Sequence, residues 1–291
     1  MLKGSLVALV TPMQADGTID KKSLQELIEW HIAEKTDGLI IAGTTGEGST
    51  LTEDEQYAII SAVVSQVAGR IPVIAGTGTL STHHTIHLTH NAKKAGADAA
   101  LIVTPYYNKP TQQGLFAHYK EIAEKTAFPI ILYNIPGRTV CDMLPETVEQ
   151  LAAISTIIGI KEATGKVERT TEIFKRCGKS FAIYSGDDAT SLDSMREGAV
   201  GVISVTANIA PQKMHMMCKA ALNGDMTLAK KMNDELMPLH KKLFLESNPI
   251  PTKWVLNQMG LIPPGIRLPL SSLDPKFHSD LKEAMHAAGV T

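Results

Sequence analysis

The amino-acid sequence predicts an α/β fold, a (β/α)8 barrel followed by a C-terminal helical extension. Short apolar runs alternate with helical patterns at intervals of roughly 20–35 residues, which is typical of parallel strands joined by helices. Eight such runs lie within residues 1–224, and eight units of this size fit a closed barrel. An open, doubly wound sheet is less consistent with the sequence, because no G-x-G-x-x-G motif follows the first run.

Each predicted strand is a short apolar run that is bounded by turn residues. Asp20 precedes the first helical pattern. Thr52 and Glu55 form a capping box before the second helix, and Pro145 suits the first turn of a later one. The predicted strands are Ser5–Val10, Gly38–Ala42, Pro72–Ala75, Ala99–Thr104, Ile130–Tyr133, Ile157–Lys161, Ala182–Ser185 and Gly201–Val205.

The end of the chain predicts helices rather than another strand–helix unit. Met226–Glu246 has apolar residues at helical spacing, and Thr252–Met259 and Lys276–Ala288 are further predicted helices. Prolines punctuate the loop between these last two. We therefore predict a barrel over residues 1–224 and a helical extension over residues 225–291.

The composition is that of an ordinary globular protein, with 44% hydrophobic and 20% charged residues. A net charge of −2 gives no electrostatic reason to expect a nucleic acid or an anionic membrane as a partner. No apolar run is long enough to span a membrane, and no signal-peptide pattern precedes the first strand. Cys141, Cys177 and Cys218 have neither zinc nor disulfide spacing, so we expect free thiols in the cytoplasm.

The polar residues that follow the predicted strands mark the candidate site. A barrel of this class places its site at the carboxyl ends of the strands. This mouth would bring together an amine, several hydroxyls and phenols, and a guanidinium group. The segments are Gly43–Glu47, Gly76–Gly78, Thr104–Asn108, Tyr133–Arg138, Lys161, Ser185–Asp188 and Ser204–Asn208.

Lys161 ends a predicted strand and is the candidate nucleophile. Because side chains alternate along a strand, Gly159 and Lys161 share one face, and Ile158 and Ile160 share the other. A lysine here either extends along apolar surface into solvent or supplies a functional amine. Burial in the barrel would favour the neutral amine, which attacks carbonyl groups to form a Schiff base.

Other residues of the mouth suit proton transfer and carboxylate binding. Tyr133 would exchange protons with the adduct, in a hydroxyl chain with Thr44 and Tyr107. Arg138 offers a planar fork for a carboxylate, and Thr44 and Thr45 offer hydroxyls and backbone N–H groups for a second one. The alternatives are a surface ion pair for Arg138, a tight loop for the threonines and simple packing at the rim for Tyr106 and Tyr107.

Four histidines on one predicted helix form a competing cluster. His83, His84, His87 and His90 have spacings that suit metal ligands. The helix would lie outside the barrel, however, and no Asp or Glu joins the histidines at matching spacing. We therefore favour a solvated helix face and expect no metal.

Several motifs of the mouth carry a family resemblance. They are Gly43–Glu47, Tyr133–Thr139, Gly159–Gly165, Ser185–Asp188 and Gly201–Asn208. The chain resembles the pyruvate-using Schiff-base (class I) aldolase superfamily of (β/α)8 barrels, and most closely its 4-hydroxy-tetrahydrodipicolinate synthase (dihydrodipicolinate synthase) family. The resemblance runs nearly end to end and includes Asn248–Pro251 and Arg267–Pro269. Pro136–Thr139 is the discriminating motif, because sialic-acid lyases of the superfamily lack its arginine.

The resemblance implies a lyase that condenses pyruvate with L-aspartate 4-semialdehyde in the diaminopimelate route to lysine. The enzyme would need no cofactor, because Lys161 forms a covalent Schiff base with pyruvate. Arg138 would receive the carboxylate of the semialdehyde. The implied catalytic residues are Lys161, Tyr133, Thr44 and Tyr107, and the implied substrate-binding residues are Thr45, Arg138, Gly186 and Ile203.

The resemblance also implies a homotetramer of two tight dimers, in which Tyr107 reaches into the neighbouring subunit. The alternative function is another pyruvate-dependent Schiff-base aldolase that acts on a keto sugar acid, against which Arg138 and Tyr107 argue. A barrel that only binds a keto acid and a metal-dependent aldolase that uses the histidine helix are further alternatives.

One departure from the family concerns feedback inhibition by lysine. Lysine-inhibited members tend to have His, His, Asn and Glu where this chain has Glu53, Gln56, Leu80 and His84. Leu80 offers no polar group, and Glu53 would repel a carboxylate. We therefore predict weak or absent inhibition by lysine, and half-inhibition at sub-millimolar lysine would contradict this.

Overall fold

The computed structural model describes residues 2–290, which form a closed barrel of eight parallel strands. Each strand pairs with the next along the chain, and the eighth pairs with the first. The predicted fold class is confirmed, and each predicted strand lies within two residues of an observed one. The strands are β1 (Gly4–Ala8), β2 (Gly38–Ile41), β3 (Val73–Gly76), β4 (Ala99–Val103), β5 (Ile130–Asn134), β6 (Ile157–Glu162), β7 (Ala182–Ser185) and β8 (Gly201–Ser204).

Helices follow every strand and surround the barrel. The predicted capping box is present, since Thr52 and Glu55 bond to each other's backbone, and Asp20 accepts two backbone N–H bonds at the start of the first helix. These helices are α1 (Lys21–Ala33), α2 (Glu53–Val67), α3 (Thr82–Lys94), α4 (Gln112–Thr126), α5 (Pro136–Thr139), α6 (Pro145–Ala152), α7 (Val167–Cys177), α8 (Ser191–Arg196) and α9 (Pro211–Leu222).

Alternate side chains of each strand face opposite sides of the sheet and so belong to two different apolar cores. One core lies between the sheet and the helices, and the other fills the barrel interior. Tyr133 and Ile131, two residues apart on β5, both belong to the interior core.

The alternation predicted for β6 is correct only from Gly159 onward. The pairing with β5 shifts between Ile130 and Ile131. As a result Ile157 packs in the outer core with Ile160, while Ile158 is 39% exposed rather than buried beside Ile160. Such an irregularity adds a residue to one strand and changes which side its neighbours face.

Three more helices follow the barrel: α10 (Met226–Lys242), α11 (Ile250–Gln258) and α12 (His278–Ala287). Helix α10 packs along α9, and α12 packs on α10. The observed α10 ends earlier than predicted, and the chain after it turns back toward the barrel mouth. The division of the chain at residue 224 stays a prediction. Among residues 2–290, no helix combines the length and apolar character that a membrane-spanning segment needs.

Candidate active site

Lys161 and Tyr133 lie side by side on neighbouring strands inside the barrel. The β5–β6 register pairs the two residues directly. Both are buried, and the Lys161 Nζ atom is 4.3 Å from the centroid of the Tyr133 ring. The lysine is therefore not the solvent-exposed residue of the alternative interpretation. A buried amine in contact with a phenol is an arrangement that can form a Schiff base and pass protons to and from it.

Gly186, at the end of β7, leaves room for the lysine chain. A Cβ atom added there would lie 2.9 Å from Lys161 Cε and 2.6 Å from Ala163 Cβ. The Gly186 N–H donates to the Glu162 carbonyl at 2.7 Å, which holds the glycine against β6. The position thus requires a residue without a side chain, because a side chain there would crowd Lys161 and Ala163.

A polar network joins β5 to β6 on the side away from Lys161. Asn134 Nδ2 donates to Glu162 Oε2 at 3.1 Å and to Asp142 Oδ1 at 2.9 Å, and the Thr164 N–H donates to Glu162 Oε1 at 2.8 Å. Burial raises the pKa of Glu162, although these hydrogen bonds oppose the shift. The network fixes the strand ends that carry Tyr133 and Lys161.

The loop after β2 carries the two predicted threonines, in different environments. Thr44 is exposed and lines the cavity at the barrel mouth, whereas Thr45 is buried. The Thr45 hydroxyl oxygen accepts a hydrogen bond of 2.8 Å from Asn248 Nδ2, which belongs to the segment before α11. The structure therefore separates two residues that the sequence analysis considers together.

Arg138 lies on the single-turn helix α5, directly after β5. Its Nη2 atom donates to the Asn248 carbonyl at 3.3 Å, and the side chain is exposed. Within residues 2–290 it forms no salt bridge, so the surface ion pair considered above is not present. The guanidinium group is available to a carboxylate that enters the mouth.

A cavity of about 550 Å³ opens at this mouth. Thr44, Tyr133 and Arg138 line it, and Tyr133 also contacts the buried Lys161. Thr45, Gly186 and Ile203 are not among its lining residues. The cavity extends outward to four positions at which the chain departs from lysine-inhibited family members, namely Glu53, Gln56, Leu80 and His84.

Tyr107 is not brought to the cavity within one chain. Its side chain is 86% exposed and its φ is +70°, whereas the neighbouring Tyr106 lines the cavity. A position of this kind is consistent with contact to another molecule. The implied role of Tyr107 in a neighbouring subunit stays a prediction.

A carboxylate from another helix contacts two of the four histidines, whose side chains remain about half exposed. Glu53, at the start of α2, places its two carboxylate oxygens 3.0 Å from the Nε2 atoms of His84 and His87 on α3. Helical spacing alone did not reveal this contact, because the glutamate comes from the preceding helix. Across the described part of the chain, no cluster of three or more His, Cys, Asp and Glu residues has a geometry that could hold a metal ion.

Contacts that the sequence did not predict hold the loop after β2. Lys253 and Glu47 form a buried ion pair, and the Arg267 N–H donates to Glu47 Oε2 at 3.1 Å. Burial lowers the pKa of Lys253, and the Glu47 carboxylate opposes that shift. The only sequence signal was the resemblance in Asn248–Pro251 and Arg267–Pro269, which does not reveal what the tail contacts.

Comparisons with known proteins agree along the whole chain. A family model described as the dihydrodipicolinate synthetase family matches residues 1–288. The curated 4-hydroxy-tetrahydrodipicolinate synthases of Ectopseudomonas mendocina (strain ymp) and Pseudomonas aeruginosa are each 57% identical to this chain over 290 residues. These matches cover 100% of the chain and 99% of each relative.

Solved structures give the same result. The chloride-inhibited dihydrodipicolinate synthase of Acinetobacter baumannii, complexed with pyruvate, is 50% identical, with a TM-score of 0.99 and 100% coverage of both chains. The enzyme of Cyanidioschyzon merolae with lysine bound is 38% identical, with a TM-score of 0.96, and the match covers 100% of this chain and 99% of that one. The chain belongs to the dihydrodipicolinate synthetase family.

Proposed function

We propose that this chain condenses pyruvate with L-aspartate 4-semialdehyde to give 4-hydroxy-tetrahydrodipicolinate, in the diaminopimelate route to lysine. Identity of 57% to curated synthases along the full chain supports this reaction. One structural observation carries the proposal: a buried lysine amine lies beside a buried phenol, at a mouth where Arg138 has no carboxylate partner within residues 2–290.

The first half of the reaction takes place on Lys161. Its Nζ atom attacks C2 of pyruvate, and water leaves as the Schiff base forms. Loss of a proton from C3 then gives an enamine. Tyr133 is the proton carrier in this proposal, with Thr44 and Tyr107 in the hydroxyl chain. Thr45 and the backbone of Ile203 bind the pyruvate end, and Gly186 gives the lysine chain its space.

The second half joins the two substrates. Arg138 binds the carboxylate of the semialdehyde, and C3 of the enamine bonds to the aldehyde carbon. The amino group of the semialdehyde then attacks C2, the bond from C2 to Lys161 Nζ breaks, and the cyclic product leaves. One water is released overall, and the lysine amine is restored. The lysine itself supplies the covalent chemistry, so the proposal includes no cofactor.

The proposal extends to assembly and compartment. A homotetramer of two tight dimers would bring the exposed Tyr107 into a neighbouring mouth. All three cysteines are free thiols, which supports a reducing compartment, the cytoplasm.

The deciding experiment is the intact mass of the protein after incubation with pyruvate and borohydride. We expect one reduced pyruvyl adduct per chain on the wild type and none on Lys161→Ala. A panel of aldehydes then separates the proposed reaction from that of a keto sugar acid aldolase, since only the semialdehyde should be consumed rapidly. An unmodified wild-type protein would remove the basis of the proposal.

A further inference from the structure

The segment before α11 contacts both proposed carboxylate-binding residues, although it lies far from them in the sequence. Asn248 is 5% exposed, and its Nδ2 atom donates to Thr45 Oγ1 at 2.8 Å. The Asn248 carbonyl oxygen accepts from Arg138 Nη2 at 3.3 Å. Neither the resemblance nor the proposed reaction gives Asn248 a role.

The Asn248 amide has a second hydroxyl partner on its other side. Its Oδ1 atom accepts a hydrogen bond of 3.4 Å from the hydroxyl of Thr252, in the first turn of α11. Thr252 is completely buried. Because the amide oxygen faces Thr252, the amide N–H group faces Thr45.

This orientation determines what the Thr45 hydroxyl can do. A threonine hydroxyl has one proton to donate and two acceptor positions. Asn248 occupies an acceptor position, and within residues 2–290 the Thr45 hydroxyl proton has no acceptor. A buried hydroxyl proton without an acceptor is costly unless a ligand supplies one. A substrate carboxylate is such an acceptor, and hydrogen bonds to ionised groups are stronger than those between neutral groups.

The same tail holds the loop that carries Thr45. Lys253 pairs with Glu47, two residues beyond Thr45, and the Arg267 N–H donates to the other Glu47 oxygen at 3.1 Å. Glu47 itself has left-handed backbone geometry, with a φ of +55°. The Asn248–Thr45 contact thus lies next to a buried ion pair that limits movement of the loop.

We propose that Asn248 is a positioning residue for pyruvate. It donates to the Thr45 hydroxyl oxygen and so directs the Thr45 proton to the carboxylate of the bound 2-oxo acid. This inference rests on the proposed function, because it requires that pyruvate binds at Lys161. It assigns part of the substrate recognition to the C-terminal extension.

Asn248→Asp tests the inference, because an ionised carboxylate can only accept hydrogen bonds. The introduced group would take the Thr45 proton and place negative charge beside an anionic substrate. We expect the pyruvate concentration for half-maximal borohydride trapping to rise about tenfold or more at neutral to alkaline pH. At lower pH the introduced carboxyl is protonated, and the half-maximal pyruvate concentration of the variant should then approach that of the wild type at the same pH.

The two substrates should respond differently. Arg138 contacts the backbone carbonyl of Asn248, which the substitution leaves in place. The KM for the semialdehyde should therefore change much less than the KM for pyruvate. A merely structural role for Asn248 would produce neither this difference nor the dependence on pH.

Asn257→Asp is the matched control. Asn257 lies on α11, which directly follows the Asn248 segment, and donates from Nδ2 to the Ile262 carbonyl at 2.9 Å, so the same change of charge occurs nearby in the chain but away from Thr45. We expect the pyruvate concentration for half-maximal trapping to be the same in this variant as in the wild type. If Asn248→Asp does not fold, Asn248→Ala is combined with Thr45→Val, and the double variant should bind pyruvate no worse than Thr45→Val alone.

The outcomes separate this inference from the proposed function. If Asn248→Asp reaches half-maximal trapping at the same pyruvate concentration as the wild type at every pH, the inference is overturned and the proposed function is not. Additive losses in Asn248→Ala and Thr45→Val would also overturn it. Failure of the wild type to trap pyruvate would overturn both the inference and the proposed function.

Discussion

Around the Lys161 amine, the two strands on either side of β6 make opposite contributions. Strand β5 supplies the Tyr133 ring, whose centroid lies 4.3 Å from Lys161 Nζ, and β7 supplies Gly186, which has no side chain to block the lysine. The two contributions can be tested separately, because the Tyr133 hydroxyl would act in proton transfer whereas Gly186 acts only by leaving space.

Tyr133→Phe keeps the ring against Lys161 and removes the hydroxyl. We expect pyruvate trapping to persist and turnover to fall by about 10²-fold, which is the scale of one general acid–base group. Steady-state kinetics beside the borohydride assay checks both halves of this prediction. Turnover at the wild-type rate would contradict the proton-transfer role.

Gly186→Ala places a Cβ atom against the lysine stem, 2.9 Å from Lys161 Cε. Because the Ala163 side chain blocks the other direction at 2.6 Å, the lysine must move, and we expect most pyruvate trapping to be lost. Gly114→Ala is the control, since a Cβ there meets only ordinary contacts at 3.4–3.5 Å near the start of α4. Equal trapping by both variants would show that the lysine tolerates the crowding.

At the scale of elements, the loop after β2 depends on the C-terminal extension. Loops are usually more mobile than the strands and helices that they connect. Here Glu47 pairs with Lys253 on α11 and accepts from the Arg267 N–H, and Arg267 also bonds to Glu55 through its guanidinium group at 2.6 and 2.7 Å. The extension therefore supports the site as well as covering the barrel.

Lys253→Met should lower the free energy of unfolding by about 3–5 kcal/mol, because it leaves the buried Glu47 carboxylate without its ammonium partner. Glu47→Gln combined with Lys253→Met should recover much of this loss, since no uncompensated charge then remains. Lys230→Met is the control, because Lys230 pairs with Asp234 on the surface, where such pairs contribute roughly 0–1 kcal/mol. Urea unfolding of the four proteins measures these differences, and a double variant no better than Lys253→Met would refute the charge argument.

At the scale of the whole molecule, barrel closure brings residues from β2, β5, β6 and β7 to one mouth. Closure of the barrel does not bring Tyr107 to this mouth. The Tyr107 side chain is instead 86% exposed on the isolated chain. If a second subunit completes the site, Tyr107 can be exposed on its own chain and still contribute to a mouth on the neighbouring chain. This arrangement can be tested by mixing two defective subunits.

Co-expression of Lys161→Ala with Tyr107→Phe should restore activity. In a mixed dimer, the site that keeps its lysine receives the intact tyrosine from the other subunit. Random pairing makes about half of the dimers mixed, each with one complete site of two, so about a quarter of wild-type activity is expected. Separately purified variants supply the baselines. No gain over their sum would contradict the exchange of Tyr107 between subunits.

Much of the fold and of the mouth could be predicted from the sequence. Short apolar runs gave the eight strands, and the period of two placed Tyr133 and Lys161 inside the barrel. The same period misplaced Ile158, because a shift in strand pairing depends on the neighbouring strand and not on the local pattern. The contact of Glu53 with His84 and His87 was not predicted for a similar reason, since the glutamate approaches from another helix.

By itself, the sequence determined the barrel, the strand that ends in Lys161 and the polar groups at the strand ends, because each follows from local periodicity and from the rule that parallel strands end together. The tertiary structure decided which of these groups touch. The Asn248–Thr45 contact joins residues 203 positions apart, and the Lys253–Glu47 pair joins residues 206 positions apart. No local pattern encodes such contacts, since they arise only when the extension packs against the closed barrel.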